Sequence, residues 1–209
     1  VRYWIHNAFI DINGEKMSKS LGNVRTVKEL LALFPGEVLR FALLSAHYRS
    51  ALNFSGELLT SARGTLDTFY GALRRHLAVE PAALNVTDSR VLLALLDDMN
   101  TPEAIAALHA AASTLNKSDD PQEIAMAKAE LTMGGRLLGI LDADPEAWFT
   151  DAVGEEGLAA EEIDALIEER TVAKASRNFQ RADQIRDDLE AQGVVLQDGH
   201  DGTQWRRRS

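Results

Sequence analysis

The sequence predicts a mainly α-helical chain, with a short strand and polar loop at its start and a small α/β unit at its end. Three observations carry that expectation. Five stretches between Glu37 and Leu141 space their apolar residues at three, four and seven, the repeat that gathers them on one side of a helix. Proline, glycine and capping residues punctuate these stretches, as expected for successive helices of a bundle. Beyond Gly193 the pattern changes to the short run Val194-Val195-Leu196, followed by an Asp198-Gly199 turn that leads towards Trp205.

Taken in order, Phe9-Ile10-Asp11-Ile12-Asn13-Gly14 reads as a strand entering a turn, because Asn and Gly both tolerate the positive φ of a tight type I′ hairpin. A polar, glycine-containing loop follows from Lys16 to Asn23. Thr26, with Glu29 three residues later, spells a capping box for a short helix whose apolar side is Leu30, Leu31 and Phe34. Pro35-Gly36 is read as its stop. Glu37 to Tyr48 restarts a helix buried through Val38, Phe41 and Leu44, with Leu52 beyond it. A longer helix is expected from Gly56 to about Leu77, facing the core with Leu59, Leu66, Phe69 and Leu73.

Residues 78–87 form a proline-containing break. Asp88 is read as the cap of a helix carrying Val91, Leu92, Leu95 and Leu96. Asn100 caps the next, in which Pro102 sits in the first turn, where a missing N–H costs little. Its apolar stripe is Ile105, Leu108, Ala112 and Leu115. Pro121 opens the last bundle helix, with Ile124, Leu131, Leu137, Leu138 and Leu141. An acidic run with Pro145, Gly154 and Gly157 is read as a linker. The tail then shows one helix through Ile163, Leu166 and Ile167 and another through Ala182, Ile185 and Leu189. The expected division is a first segment at 1–35, a helical bundle at 36–145, an acidic linker at 146–158 and a small α/β unit at 159–209.

Composition narrows the chemistry. A hydrophobic fraction of 45% over 209 residues is ordinary for a globular chain. There is no cysteine, so neither disulfides nor thiolate metal sites are available, and the five histidines show no ligand spacing. No run approaches a membrane span and no signal-peptide profile opens the chain, so a cytoplasmic protein is expected. The net charge of -10 disfavours indiscriminate nucleic-acid binding, yet the charge is uneven. Residues 1–50 carry seven Lys/Arg against four Asp/Glu, residues 78–169 carry four against twenty, and residues 170–209 carry eight against six. A polyanion can touch both ends while avoiding the acidic middle.

The densest chemical signal is Glu15-Lys16-Met17-Ser18-Lys19-Ser20-Leu21-Gly22-Asn23. Two lysines three residues apart can address neighbouring phosphates, and Ser18, Ser20 and backbone N–H groups add donors to an anion nest. Gly22 lets the backbone approach closely. The arrangement suits charge that builds up when a nucleotide α-phosphate is attacked and pyrophosphate leaves. A lone Lys-x-x-Lys is ordinarily a solvated turn; the nine-residue context resembles the signature loop of class I aminoacyl-tRNA synthetases.

Further blocks resemble one branch of that class, the cysteinyl-tRNA synthetases. They are Tyr3-Trp4-Ile5-His6-Asn7, Leu39-Arg40-Phe41, His47 to Ser55, Asp97-Asp98-Met99-Asn100-Thr101-Pro102-Glu103-Ala104, and Ala182 to Asp187, continuing from Gly193 to Gly199 and from Gly202 to Arg207. The blocks follow the family's order along nearly the whole chain. Ala8 departs from the glycine common there. The family's amino-terminal nucleotide motif with paired histidines, its zinc ligands and its cysteine-selecting residues have no match, so the resemblance is to the carboxyl-terminal part, beginning just before the lysine loop.

The resemblance implies the edge of a class I catalytic domain at 1–35, a tRNA-binding bundle and a small anticodon-recognition unit. It implies a ligase that activates cysteine with ATP and magnesium and transfers it to cysteine tRNA, with zinc expected in the portion not matched here. Lys16 and Lys19 are then the catalytic candidates, and Lys16, Met17, Ser18, Lys19 and Ser20 the ATP-binding set. Phe179, Asp183, Arg186, Asp198 and Trp205 are candidates for tRNA contact, the aromatic rings by stacking and the polar groups at base edges. These 209 residues alone are expected to be inactive, and a tRNA-binding module without catalysis is the alternative. A related cysteine:glucosaminyl-inositol ligase family shares the loop but lacks a tail comparable to residues 177–208. His6 near nucleotide, Arg40 and Arg49 on tRNA, and Asp97-Asp98 as half of a magnesium site are each weighed against plain structural roles.

Overall fold

A computed structural model describes residues 1–12, 14–16, 26–150, 158–199 and 202–207 of the chain. These fall into two compact units, Val1–Pro145 and Glu146–Ser209.

The first unit opens with a three-stranded sheet of order β2-β1-β3, formed by β1 (Ile10–Ile12), β2 (Glu15–Lys16) and β3 (Leu52–Phe54). β1 and β2 are antiparallel with Ile12 opposite Glu15; of the expected Asn-Gly turn, Gly14 is described and Asn13 lies outside the described residues. Gly14 has φ +80, a conformation that a side chain would oppose. β3 was not expected. It pairs parallel to β1, with Asp11 opposite Asn53, and so depends on a partner some forty positions away rather than on any local pattern.

Between these strands lie α1 (Val27–Leu31) and α2 (Gly36–Leu44). The capping box forms as expected: Thr26 N–H donates to Glu29 and Glu29 N–H donates to Thr26 Oγ1. Pro35-Gly36 does not simply end α1; Pro35 is the residue from which α2 starts. α2 ends at Leu44, four residues before Tyr48, because Ser45 turns its hydroxyl back onto Ala42 O and the chain must reach β3.

α3 (Gly56–Arg75), α4 (Arg90–Leu96), α5 (Thr101–Lys117) and α6 (Pro121–Leu138) complete the bundle. Leu66, Phe69, Tyr70, Val91, Leu108, Leu115 and Leu131 are among its most completely buried side chains. Asn100 caps α5 through Glu103 N–H as expected. α4 is capped by Ser89, not Asp88: Ser89 Oγ accepts from Leu92 N–H and donates to Glu130 of α6, which also accepts from Val91 N–H. Val91 and Ala94 face the core, so the expected stripe is shifted and Leu96 is 72% exposed. The break at 78–87 is pinned by Lys128, whose ammonium donates to the carbonyls of His76, Leu77 and Val79.

In the second unit, α8 (Ala160–Ala175) and α9 (Phe179–Ala191) pack beside a hairpin of β4 (Val194–Gly199) and β5 (Gly202–Arg207). Ile163, Ile185, Leu189, Val194 and Trp205 form its core. Asp198 and Gly199 continue β4, paired with Thr203 and Gly202, rather than forming the expected turn. Part of the expected acidic linker is ordered as α7 (Ala147–Thr150), which packs on β5 and buries Trp148 and Phe149. The two aromatic residues outweigh the surrounding acidic ones, since each buries a large apolar surface.

Candidate functional site

Lys16 ends β2 and is described only by its backbone, opposite Asp11 of β1. Met17, Ser18, Lys19 and Ser20, with the rest of the expected phosphate loop, lie outside the described residues. The turn between β1 and β2 is held from the side by Asn53, whose Oδ1 accepts the Gly14 N–H at 2.9 Å. The segment before β3 is bound along its length. Tyr48 O accepts from Ala8 N–H, and Phe9 O accepts from Leu52 N–H.

That same segment is tied to the loop between α4 and α5. Tyr48 donates to Asp98 Oδ1 at 2.7 Å and accepts from Arg49 Nε at 2.7 Å. Arg49 also pairs with Asp98 at 3.0 Å, and His47 Nε2 lies 2.9 Å from Asp98 O. Asp98 and Met99 both adopt positive φ, +52 and +53. Such backbone is uncommon for a residue with a side chain, less so for aspartate than for methionine. The Tyr48 hydrogen bond and the nearby Arg49 charge hold the Asp98 carboxyl below its usual range. Asp97 and Asp98 therefore do not continue a helix: Asp97 follows the end of α4, and Asp98 is engaged by Tyr48 and Arg49. Arg49 has the structural pairing weighed as its alternative. Arg40 lies against Gly139, and His6 is exposed in the segment before β1.

The candidate RNA-contacting residues separate into two groups. Phe179, Asp183 and Arg186 share one exposed side of α9, four and three residues apart, beside the buried stripe Ala182, Ile185 and Leu189. Phe179 is 62% exposed, and Arg186 lies 3.6 Å from Asp183 and 3.2 Å from Asp187. Trp205 and Asp198 are used internally. Trp205 is 6% exposed, and its indole N–H donates to Asp164 of α8 at 2.7 Å. Arg207 stacks over the same ring and donates to Thr150 O and Leu158 O.

Asp198 accepts from Arg170 through both oxygens, at 2.8 and 2.9 Å, and also from Lys174 and Thr203. Arg170, followed by Thr203 and Lys174, pulls the Asp198 carboxyl far below the usual carboxylate range. Arg170 itself is buried, and its Nε has no hydrogen-bond partner among the described residues. This buried arginine, Asp164 and Asn53 were not singled out from the sequence. Arg170 sits seven residues after Ile163, on the helical repeat that also marks the core, which is the one local signal for it.

Among the described residues, no group of three or more His, Cys, Asp or Glu side chains is placed to hold a metal ion, so the zinc implied by the resemblance finds no ligand set among them. No helix among them is long and apolar enough to cross a membrane.

Three family models match the chain in succession. Residues 1–64 match the class I (C) tRNA synthetase catalytic domain, residues 90–142 the DALR domain, and residues 157–206 the cysteinyl-tRNA ligase anticodon binding domain. Among similar proteins, a cysteine–tRNA ligase of Saccharophagus degradans is 51% identical over 208 residues, covering 99% of this chain and 45% of that protein. One from Magnetococcus marinus is 47% identical over 234 residues, covering 100% and 48%. One from Caulobacter vibrioides is 46% identical over 213 residues, covering 99% and 45%. The chain thus spans about half the length of the curated relatives it matches.

Proposed function

Because the chain belongs to the cysteinyl-tRNA synthetase family, we propose that the whole protein is an ATP-dependent ligase that joins cysteine to cysteine tRNA. The observation that carries this reading is the unbroken run Lys16-Met17-Ser18-Lys19-Ser20, beginning at the last residue of a hairpin strand in the segment that resembles a class I catalytic domain. In the first step the cysteine carboxylate attacks the α-phosphorus of ATP, and the bond to pyrophosphate breaks. In the second, a hydroxyl of the terminal adenosine of the tRNA attacks the cysteinyl carbonyl and releases AMP.

Lys16 and Lys19 act in the first step. Negative charge accumulates on the phosphates as pyrophosphate departs, and two ammonium groups held beside it stabilise that charge more than they stabilise bound ATP. Met17, Ser18 and Ser20 complete the ATP-facing set, with magnesium accompanying the nucleotide. Cysteine selection and zinc belong to residues beyond these 209. The helical bundle supports the tRNA, and the second unit meets its anticodon.

Within that unit we assign the direct contacts to Phe179, Asp183 and Arg186 on the exposed side of α9. A base stacked on Phe179 would gain about 1–3 kcal/mol. Trp205 and Asp198 serve the same surface indirectly, by fixing the hairpin beside it. A cytoplasmic location follows from this role in protein synthesis. The test is amino-acid-dependent pyrophosphate exchange by the whole protein, followed by transfer to tRNA. Exchange should require cysteine and no other amino acid. Exchange driven equally well by a different amino acid would replace the proposed substrate.

A further inference from the structure

We propose that Asn53 is a positioning residue for Lys16, holding the β1–β2 hairpin at Gly14, two residues before it. The inference rests on the proposed ATP-handling role of Lys16 and Lys19 and deepens it. Its ground is a contact between segments 39 positions apart: the Gly14 N–H donates to Asn53 Oδ1 at 2.9 Å. Gly14 stands two residues before Lys16, and β2 contains only Glu15 and Lys16. At the edge of the sheet, so short a strand has only two register pairs with β1 to fix its direction. A third attachment at the turn restricts the angle at which Lys16 leaves the sheet.

That attachment works only if Asn53 is itself held, and three sets of bonds hold it. β3 pairs with β1, which places Asn53 opposite Asp11 and next to Phe54, the partner of Ile12 at the mouth of the turn. The preceding residues are pinned by Ala8 N–H to Tyr48 O and by Leu52 N–H to Phe9 O. The Tyr48–Arg49–Asp98 cluster anchors the far end of the same segment to the loop before α5. Asn53 is thus the tip of a braced arm, and an amide side chain there supplies an acceptor without adding charge. Its carbonyl oxygen is the required atom, because the Gly14 amide can only donate.

The variants Asn53→Ala and Asn53→Asp separate positioning from folding. Alanine removes the acceptor; aspartate keeps an oxygen at the same reach. In the 209-residue chain, Asn53→Ala should speed hydrogen exchange of the Gly14 amide, while Asn53→Asp restores protection and neither shifts the melting temperature appreciably. In the whole protein, Asn53→Ala should lower kcat for cysteine-dependent pyrophosphate exchange about tenfold, with KM for cysteine and tRNA binding unchanged. Asn53→Asp should recover most of that loss.

An unchanged kcat in Asn53→Ala, in a protein that Lys19→Ala inactivates, overturns the positioning role and leaves the ATP-handling reading intact. Equal loss in the alanine and aspartate variants also overturns it, because the acceptor is then irrelevant. Absence of cysteine-dependent exchange in the unaltered whole protein removes the functional reading and this inference together.

Discussion

Asp198 shows how a surface carboxylate can be committed to structure. It was legible in the sequence as a base-reading candidate because it lies in a turn-forming, family-like segment. Its partner Arg170 lies 28 residues earlier and becomes its neighbour only when α8 packs beside the hairpin. The depressed Asp198 value has a definite consequence for pH. A carboxylate held low in the folded state contributes stability that is complete above its ordinary value of about 3.9 and is lost as pH falls through the folded value. Asp198→Asn should therefore destabilise the second unit by about 1–2 kcal/mol near pH 6, a figure kept small because the carboxylate is half exposed. Urea unfolding should show the difference between variant and wild type shrinking once the pH drops below about 4. A gap that is unchanged at pH 3 would mean that the Arg170–Asp198 pair does not carry this stability.

Helices were the most legible elements, because each brings its own periodicity. Their exact ends were less so. Asp88 and Ser89 are both capping residues by type, and the choice fell to Ser89 through Glu130 on another helix, information that no window around residue 88 contains. β3 was invisible for a related reason: three residues provide no alternation, and the strand exists through its parallel pairing with β1. Within α6, Gly134 looks at first like a helix weakness. A Cβ there would stand 2.5 Å from Val91 Cγ2 and 2.8 Å from Leu108 Cδ2, both fully buried side chains of α4 and α5. Alanine would gain about 1 kcal/mol in helix propensity but cost about 1–3 kcal/mol in overpacking. Gly134→Ala should thus lower the melting temperature of the bundle, and a higher one would show that these helices can separate freely.

The second unit gives an element-level prediction of its own. A peptide of residues 146–209 should give a dispersed amide NMR spectrum, since its core of Ile163, Ile185, Leu189, Val194 and Trp205 comes entirely from α8, α9 and the hairpin. Shortening it to 159–209 removes α7 from β5 and both carbonyl acceptors, Thr150 O and Leu158 O, from Arg207, and should lower its melting temperature. Equal melting temperatures for the two peptides would return residues 146–158 to the status of a linker.

At the scale of the whole molecule, the proposed function divides labour along the chain: phosphate chemistry near Lys16 and Lys19, RNA contact towards the carboxyl end. The uneven charge was legible from composition alone and fits that division, with an acidic middle between two less acidic ends. The lysine motif was legible in the sequence, while the bracing of the hairpin before it was not, because Asn53 meets Gly14, and Asp98 meets Tyr48, only through tertiary pairing. The 209 residues by themselves should bind cysteine tRNA without supporting cysteine-dependent exchange, since two lysines need a second surface to hold ATP and cysteine in reacting geometry.

The measurement that bears most directly on the division is pyrophosphate exchange by the whole protein carrying Lys19→Ala, with tRNA binding followed on the same sample. Exchange should fall by about a hundredfold or more, with tRNA affinity within about twofold of wild type. Exchange at the wild-type rate would contradict the division, because the loop would then not be what stabilises the departing phosphate.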